Sequence, residues 1–231
     1  MTESRSAEDG QTSVRDEFVD AAYRVIDAQG PDPSMDDIAR EANTSKPRLY
    51  RYFADKDDLY RAVAQRMADD IFRRIRPDFN FVLSSPETTL GETIRAFTDV
   101  VAEHPGVFRF LARSRSQYGG EGTGFPLDIG RDVARKMVSI AEAVLKSVEV
   151  ETSGMELAVY AAVGAMLAST DYWLESTAAG DPLDKDNFVV VVTPLIWGII
   201  DSHLRRLGVV IDAEQPIFVS LANIREAGSG S

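Results

Sequence analysis

From Phe18 onward the apolar residues fall three and four positions apart. Phe18, Ala21, Ala22, Val25 and Ile26 make one stripe within residues 13–29, the spacing that gathers side chains on a single helix face. Gly30-Pro31 ends that pattern, because glycine accepts the left-handed backbone that closes helices and proline does not continue one. Short helices are predicted over 35–42 and 46–53, and a longer one over 56–76 with Leu59, Val63, Met67 and Ile71 inward, before Pro77 closes the block. The same period continues through 86–103 (Leu90, Ile94, Phe97, Val101), 105–116, 128–148, 154–178, 186–207 and 213–225. No segment alternates with period two between hairpin turns, so the predicted fold is all-α. The glycine-rich run from Tyr118 to Gly124 lacks the Gly-x-Gly-x-x-Gly spacing and has no strand before it, so it is expected to be a loop and not a phosphate cradle.

Chemistry concentrates between Ser34 and Phe53. Ser34 stands as an N-cap with Asp37 three residues on, a capping-box arrangement, and Asp36 and Asp37 suit the positive end of a helix. Ile38, Ala39 and Ala42 present a narrow face of small side chains, which lets a second helix cross closely, as a helix-turn-helix requires. Asn43-Thr44 makes the turn, asparagine being one of the few residues other than glycine that tolerate a left-handed backbone. Ser45 is then expected to cap the second helix, and Pro47 falls in its first turn, where a missing N–H costs nothing. Lys46 and Arg48 sit at the N-terminal end of that helix, the end that helix-turn-helix proteins present to base edges. Arg48 has the fork geometry to bond guanine O6 and N7, while Lys46, Tyr50, Tyr52 and Lys56 suit phosphates, and Ser45, Pro47 and Arg51 complete the candidate DNA-binding set. Leu49 and Phe53 face the core.

The formal charge of −12 over 231 residues argues at first against nucleic acid, since phosphate affinity comes from Lys and Arg. Its distribution reverses that reading. Residues 43–56 hold four basic side chains against one acidic, a local +3, whereas residues 77–231 hold 12 basic against 21 acidic, or −9. Two regions with different electrostatic tasks follow. There is no cysteine, so disulfides, thiolate metal sites and thiol nucleophiles are excluded. The two histidines, His104 and His203, lack any paired-ligand spacing, and no enzyme activity, metal or cofactor is expected. Residues 1–12 carry no apolar stretch, so they are expected to be a disordered arm and neither a signal peptide nor a span; a cytoplasmic protein is the expectation.

The run Asp37-Ile38-Ala39-Arg40-Glu41-Ala42, then Ser45-Lys46, Leu49-Tyr50-Arg51-Tyr52-Phe53 and Asp55-Lys56-Asp57-Asp58-Leu59, resembles the TetR family of bacterial regulators. The likeness covers Val14 to Met67; beyond it only the helical layout agrees. Asn43 stands where the family commonly has glycine, and Pro47-Arg48 where Gly-Thr is usual. The resemblance implies a three-helix DNA-binding domain joined to a larger helical effector-binding and dimerisation domain. It also implies a homodimer that represses promoters and leaves palindromic operator DNA when a small molecule binds. The expected organisation is an arm at 1–12, a helix-turn-helix domain at 13–55, a connecting helix at 56–76, an effector and dimerisation domain at 77–226 and a flexible tail at 227–231. A helix-turn-helix used only as a protein-protein scaffold is the alternative.

In the second domain, Ala161, Gly164, Ala165 and Ala168 put small side chains on one helix face, and Leu195, Ile196 and Ile199 lie in an apolar run on the next helix. That run is read as too short to cross a bilayer. Such a pair packs either within one subunit's core or, as the resemblance implies, into a four-helix dimer interface. Phe97, Phe108, Met137, Met166 and Trp173 are the candidate effector lining, an apolar set that favours a lipophilic molecule such as a fatty acyl chain. A planar lipophilic cation, countered by Glu142, Glu156 or Asp171, is the other possibility.

Overall fold

The computed structural model describes residues 2–30, 32–74, 83–113, 152–178 and 183–229, together with 135, 138, 139 and 142. Among these residues there are helices and no strand. In chain order they are α1 (Thr2–Gln29), α2 (Met35–Glu41), α3 (Lys46–Leu49), α4 (Lys56–Arg74), α5 (Pro86–Glu103), α6 (Pro105–Arg113), α7 (Met155–Ala178), α8 (Lys185–Arg206) and α9 (Ile217–Ser229). The expected loop at Tyr118 to Gly124 lies outside the described residues, and so does most of the helix expected at 128–148.

Three boundaries differ from the sequence expectation. The first helix reaches back to Thr2, over the stretch read as a disordered arm; that stretch has no proline, and extending an already anchored helix costs far less than nucleating one. The helix expected over 46–53 keeps only Lys46–Leu49. After it the chain tightens into turns that close three residues back, with the N–H groups of Arg51 and Tyr52 donating to the carbonyls of Arg48 and Leu49 at 3.1 and 3.0 Å. The last helix begins at Ile217 and not at Ala213, because Pro216 bars the residue before it from helical backbone. It continues to Ser229, into the expected flexible tail.

The helices fall into two compact units, Met1–Asp70 with Val100–Phe125, and Ile71–Asp99 with Pro126–Ser231. In the first, the α1 stripe is buried as expected, Phe18, Ala21, Ala22, Val25 and Ile26 all being 3% exposed or less. Leu49 and Phe53 are fully buried, the Phe53 ring edge-on to Phe18 at 6.3 Å, each contributing about 1.5–3 kcal/mol of apolar burial. Two buried tyrosines tie the helices by their hydroxyls: Tyr23 donates to the Val63 carbonyl at 3.2 Å and Tyr60 to the Leu111 carbonyl at 2.6 Å. The α6 helix, expected within the second domain, packs against the last turns of α1 in this unit. There His104 Nδ1 lies 2.8 Å from Asp27 Oδ2, and the His104 ring meets Tyr23 edge-on at 5.1 Å.

In the second unit α7 and α8 pack along their lengths. Met155, Val159, Leu204, Val209 and Ile211 form one buried cluster. Trp173 stacks on Phe188 at 5.0 Å, and its Nε1 donates to the Leu183 carbonyl at 3.0 Å. Asp184 caps α8 by accepting from Asn187 N at 2.8 Å, while Lys185 pairs with Asp99 and Arg95 with Asp186 to hold α5 alongside. Thr98, Thr170 and Thr193 are buried in this unit. Each satisfies its hydroxyl locally, donating to a carbonyl one turn back. By length and composition alone α7, 24 residues, and α8, 22 residues, are long and apolar enough to cross a membrane, but core helices share that property and both helices pack in this unit. Their apolar content is divided between one face buried in this core and a second face left exposed.

Candidate nucleic-acid interface

The α2–α3 corner is assembled from short-range hydrogen bonds. Ser34 caps α2 reciprocally with Asp37: the Asp37 N–H donates to Ser34 Oγ at 3.1 Å, and the Ser34 N–H donates to Asp37 Oδ2 at 3.2 Å. Hydrogen bonds from Ser34 hold the Asp37 carboxyl below its ordinary pKa. At the other end Asn43 adopts φ 49°, the left-handed conformation the sequence called for. The N–H groups of Thr44 and Asn43 then reach back to the carbonyls of Ala39 at 2.8 Å and Arg40 at 3.1 Å, which is a Schellman closure. Ser45 occupies the N-cap position of α3, but its hydroxyl makes no capping bond. The residue at N2 is Pro47, which has no N–H to give, and the Arg48 N–H is taken by the Ser45 carbonyl at 2.9 Å. Ser45 Oγ is thereby left on the exposed surface for another acceptor.

The side chains of this corner divide cleanly. Leu49 and Phe53 point into the core, and Ser45, Lys46, Pro47, Arg48, Tyr50 and Arg51 are exposed. Tyr52 is half-buried, its ring edge-on to Phe18 at 5.3 Å, so it belongs at least partly to the packing of α1. Arg48 and Arg51 have no ion pair or side-chain hydrogen bond among the described residues. Lys46 and Lys56 are different. Lys46 Nζ lies 2.7 Å from Asp36 Oδ2, and Lys56 Nζ lies 3.4 Å from Asp32 Oδ1.

One residue that the sequence reading passed over holds the far side of the corner. The guanidinium of Arg15 stands 4.2 Å over the Phe53 ring, donates to the Tyr52 carbonyl, and bonds Asp58 Oδ1 at 2.8 Å. Asp58 in turn accepts from the Ala54 N–H at 3.0 Å. The pairing with Arg15 lowers the Asp58 pKa. Arg15 thus fastens the end of the α3 turn to the start of α4. Its partners lie 37 and 43 positions away, so no spacing rule finds it.

The arrangement is a helix-turn-helix with an exposed basic second helix. Residues 18–63 match the model of the family described as bacterial regulatory proteins, tetR family. An HTH-type transcriptional regulator of Mycobacterium tuberculosis, itself uncharacterized, is 30% identical over 197 residues, covering 81% of this chain and 79% of its own. This chain belongs to the TetR family. It is a DNA-binding transcriptional regulator. The HTH-type transcriptional activator FasR of Mycolicibacterium smegmatis is 28% identical over 186 residues, covering 78% of this chain and 76% of its own. The fold agrees with the crystal structure of a tetR-family transcriptional regulator from Streptomyces coelicolor, with a TM-score of 0.63 at 21% identity over 95% of this chain and 99% of that one.

The remaining residues singled out from the TetR likeness are distributed as follows. Phe97 on α5 and Met166 on α7 are half-buried in the second unit, and Trp173 is buried there against Phe188. Phe108 is buried on α6, in the first unit. Met137 lies outside the described residues. Along α7, Leu157, Ala161, Ala168 and Tyr172 share an exposed face, with Gly164 and Ala165 half-buried beside it. On α8, Val191 and Leu195 are exposed, Ile199 is half-buried, and Ile196 is buried within its own subunit, on the face that carries Val189, Val192 and Thr193. Gly164 and Gly198 have open space where a Cβ would stand.

Proposed function

We propose that the protein is a cytoplasmic, homodimeric repressor that reads palindromic operator DNA with Arg48 and loses affinity when a small lipophilic effector binds. The observation that carries this reading is the freedom of Arg48 and Arg51. In the first unit Arg15, Arg24, Arg40, Lys46, Lys56 and Arg66 each hold a carboxylate. Two exposed guanidinium groups left without one, on the turn that enters the major groove in helix-turn-helix proteins, are available for guanine edges and phosphates. The exposed α7–α8 face supports a two-fold partner. Its residues are small or apolar, and a surface of that kind on one subunit is self-complementary about a dyad. For release, α4 is the lever: it begins beside the α3 turn at Lys56 and contributes its last residues to the second unit. A ligand that favours one tilt of α4 would change the spacing of two recognition helices that must match one DNA turn, roughly 34–36 Å.

The test is selection of full-length protein on a randomised duplex pool. A palindromic site should be enriched, and its affinity should fall steeply between about 50 and 200 mM salt. Arg48→Ala should relax base preference at one position of each half-site, at a cost of ~1–3 kcal/mol, while Lys56→Ala should weaken all sequences alike. A pool that stays random after repeated selection sinks the reading and leaves the scaffold alternative. Added long-chain acyl compounds should lower the affinity, and reporter transcription from the selected site should fall when the protein is present. A rise would give it the sign of FasR.

A further inference from the structure

We propose that Asp36 and Asp32 are built-in competitors of DNA phosphate, holding Lys46 and Lys56 so that the protein's affinity for DNA of any sequence is lowered and its salt dependence made shallower. The inference rests on the proposed use of the α3 corner as the DNA-contacting surface. The two lysines and the two acids all belong to the first unit, and both pairs cross between separate segments: Lys46 on α3 reaches Asp36 in the first turn of α2, and Lys56 at the start of α4 reaches Asp32 ahead of α2.

The local charge count conceals this. Residues 43–56 carry +3, but residues 32–58 carry five basic side chains against seven acidic. The basic patch read along the chain is therefore set among carboxylates, and the structure directs two of them at its lysines. A carboxylate offers the same oxygen acceptors as a phosphate, and the 2.7 Å contact to Lys46 is of charge-assisted length. Side-chain exposures of 45% for Lys46 and 56% for Asp36 keep this pair in water. Exposed pairs of this kind are weak and reversible, so the lysine is withheld from DNA without being lost to it. Asp36 also raises the Lys46 pKa by hydrogen bond and charge.

The consequence is specific to salt. When an unpaired lysine meets DNA, about 0.9 of a condensed cation is released for each phosphate neutralised. When Lys46 must first leave Asp36, the freed carboxylate draws cations back, and the net release is smaller. The two arginines carry no such debt. Binding by Arg48 and Arg51 is then the fixed part of the interface, and the lysines are the part that the acids hold in check.

The experiment measures affinity of the full-length protein for a fluorescent random-sequence 30-base-pair duplex, by anisotropy, from about 50 to 200 mM salt. Asp36→Asn and Asp32→Asn should each tighten binding roughly two- to five-fold at the low-salt end and steepen the log–log salt slope by up to about 0.9. Asp69→Asn removes the same charge from α4 some 13 residues beyond Lys56, about 20 Å along the helix. That exceeds the Debye length of about 10 Å, so this variant should leave both quantities unchanged. The gain from Asp36→Asn should vanish when Lys46→Ala is already present. The inference is overturned if Asp36→Asn behaves like Asp69→Asn, or if its gain survives the loss of Lys46. An Arg48→Ala, Arg51→Ala variant that binds the pool as tightly as the wild type would instead bring down the proposed DNA surface itself.

Discussion

At the scale of the residue, the corner of the DNA-binding unit depends on side chains that answer backbone groups. Arg15 and Asp58 do this most heavily, linking α1, the Tyr52 carbonyl and the Ala54 N–H. The Asp58 carboxyl titrates below its ordinary range because Arg15 and the Ala54 N–H favour its charged form. A carboxyl whose pKa is lower in the folded state stabilises that state fully above the unfolded value, about 3.9, and the contribution is lost as pH falls through the lower folded value. Urea unfolding of the wild type and of Asp58→Asn at pH 7 and again near pH 3 should therefore give a stability difference that narrows at the acid end. A difference equal at both pH values would mean that the Asp58 charge contributes nothing and that only its cap matters.

At the scale of the element, the seat of α6 on α1 is set by Gly106. A Cβ there would come 3.0 Å from the Ile26 carbonyl oxygen and 3.1 Å from Asp27 Oδ1, with the Asp27 Cα behind at 3.3 Å. Two effects oppose each other in Gly106→Ala. Alanine gains up to ~1 kcal/mol over glycine in a helix, whereas crowding a packed contact costs about 1–3 kcal/mol. The neighbours are largely backbone and do not rotate away, so the crowding should win. A lowered melting temperature, with the His104–Asp27 contact disturbed, is the expected result. A raised one would show that α6 slides along α1 at little cost.

For the whole molecule, α7 and α8 carry five of the nine large apolar side chains that stand exposed among the described residues. Leu157 is 72% exposed, Tyr172 66%, Leu195 62% and Val191 53%, although each sits on a helix whose other face is well packed. Leu195→Arg leaves that core intact and places a charge in the centre of the proposed dyad. Sedimentation should then find monomers with weakened operator affinity and unchanged helix content, because unpaired charge in an apolar interface is costly. A dimer that persists would move the interface to another surface.

Nine of the ten expected helices, those that fall among the described residues, are legible in the sequence, as are the buried stripe of α1, the cap at Ser34 and the turn at Asn43. Each rests on residues within a few positions of one another, where helical period, capping and left-handed backbone preference act directly. The exposure of Arg48 beside buried Leu49 was legible for the same reason. Short-range rules failed wherever a distant group intervened. Arg15 was invisible because Phe53 and Asp58 approach it only through folding. Ser45 stands where a cap belongs, but Pro47 has no N–H and the Arg48 N–H goes to the Ser45 carbonyl. Ile196 lay in an apolar run that periodicity alone could not apportion between core and interface, and the packing of α7 on α8 turned it inward. The +3 patch was counted along the chain, while its ion pairs with Asp32 and Asp36 run across it. The sequence by itself determined where most of the helices lie, though not all of their ends, and which corner carries the basic side chains, because those properties are set locally. Only the tertiary structure decided which cations are paired and which apolar residues stay exposed, because charge pairing and burial depend on neighbours that the order of residues does not bring together.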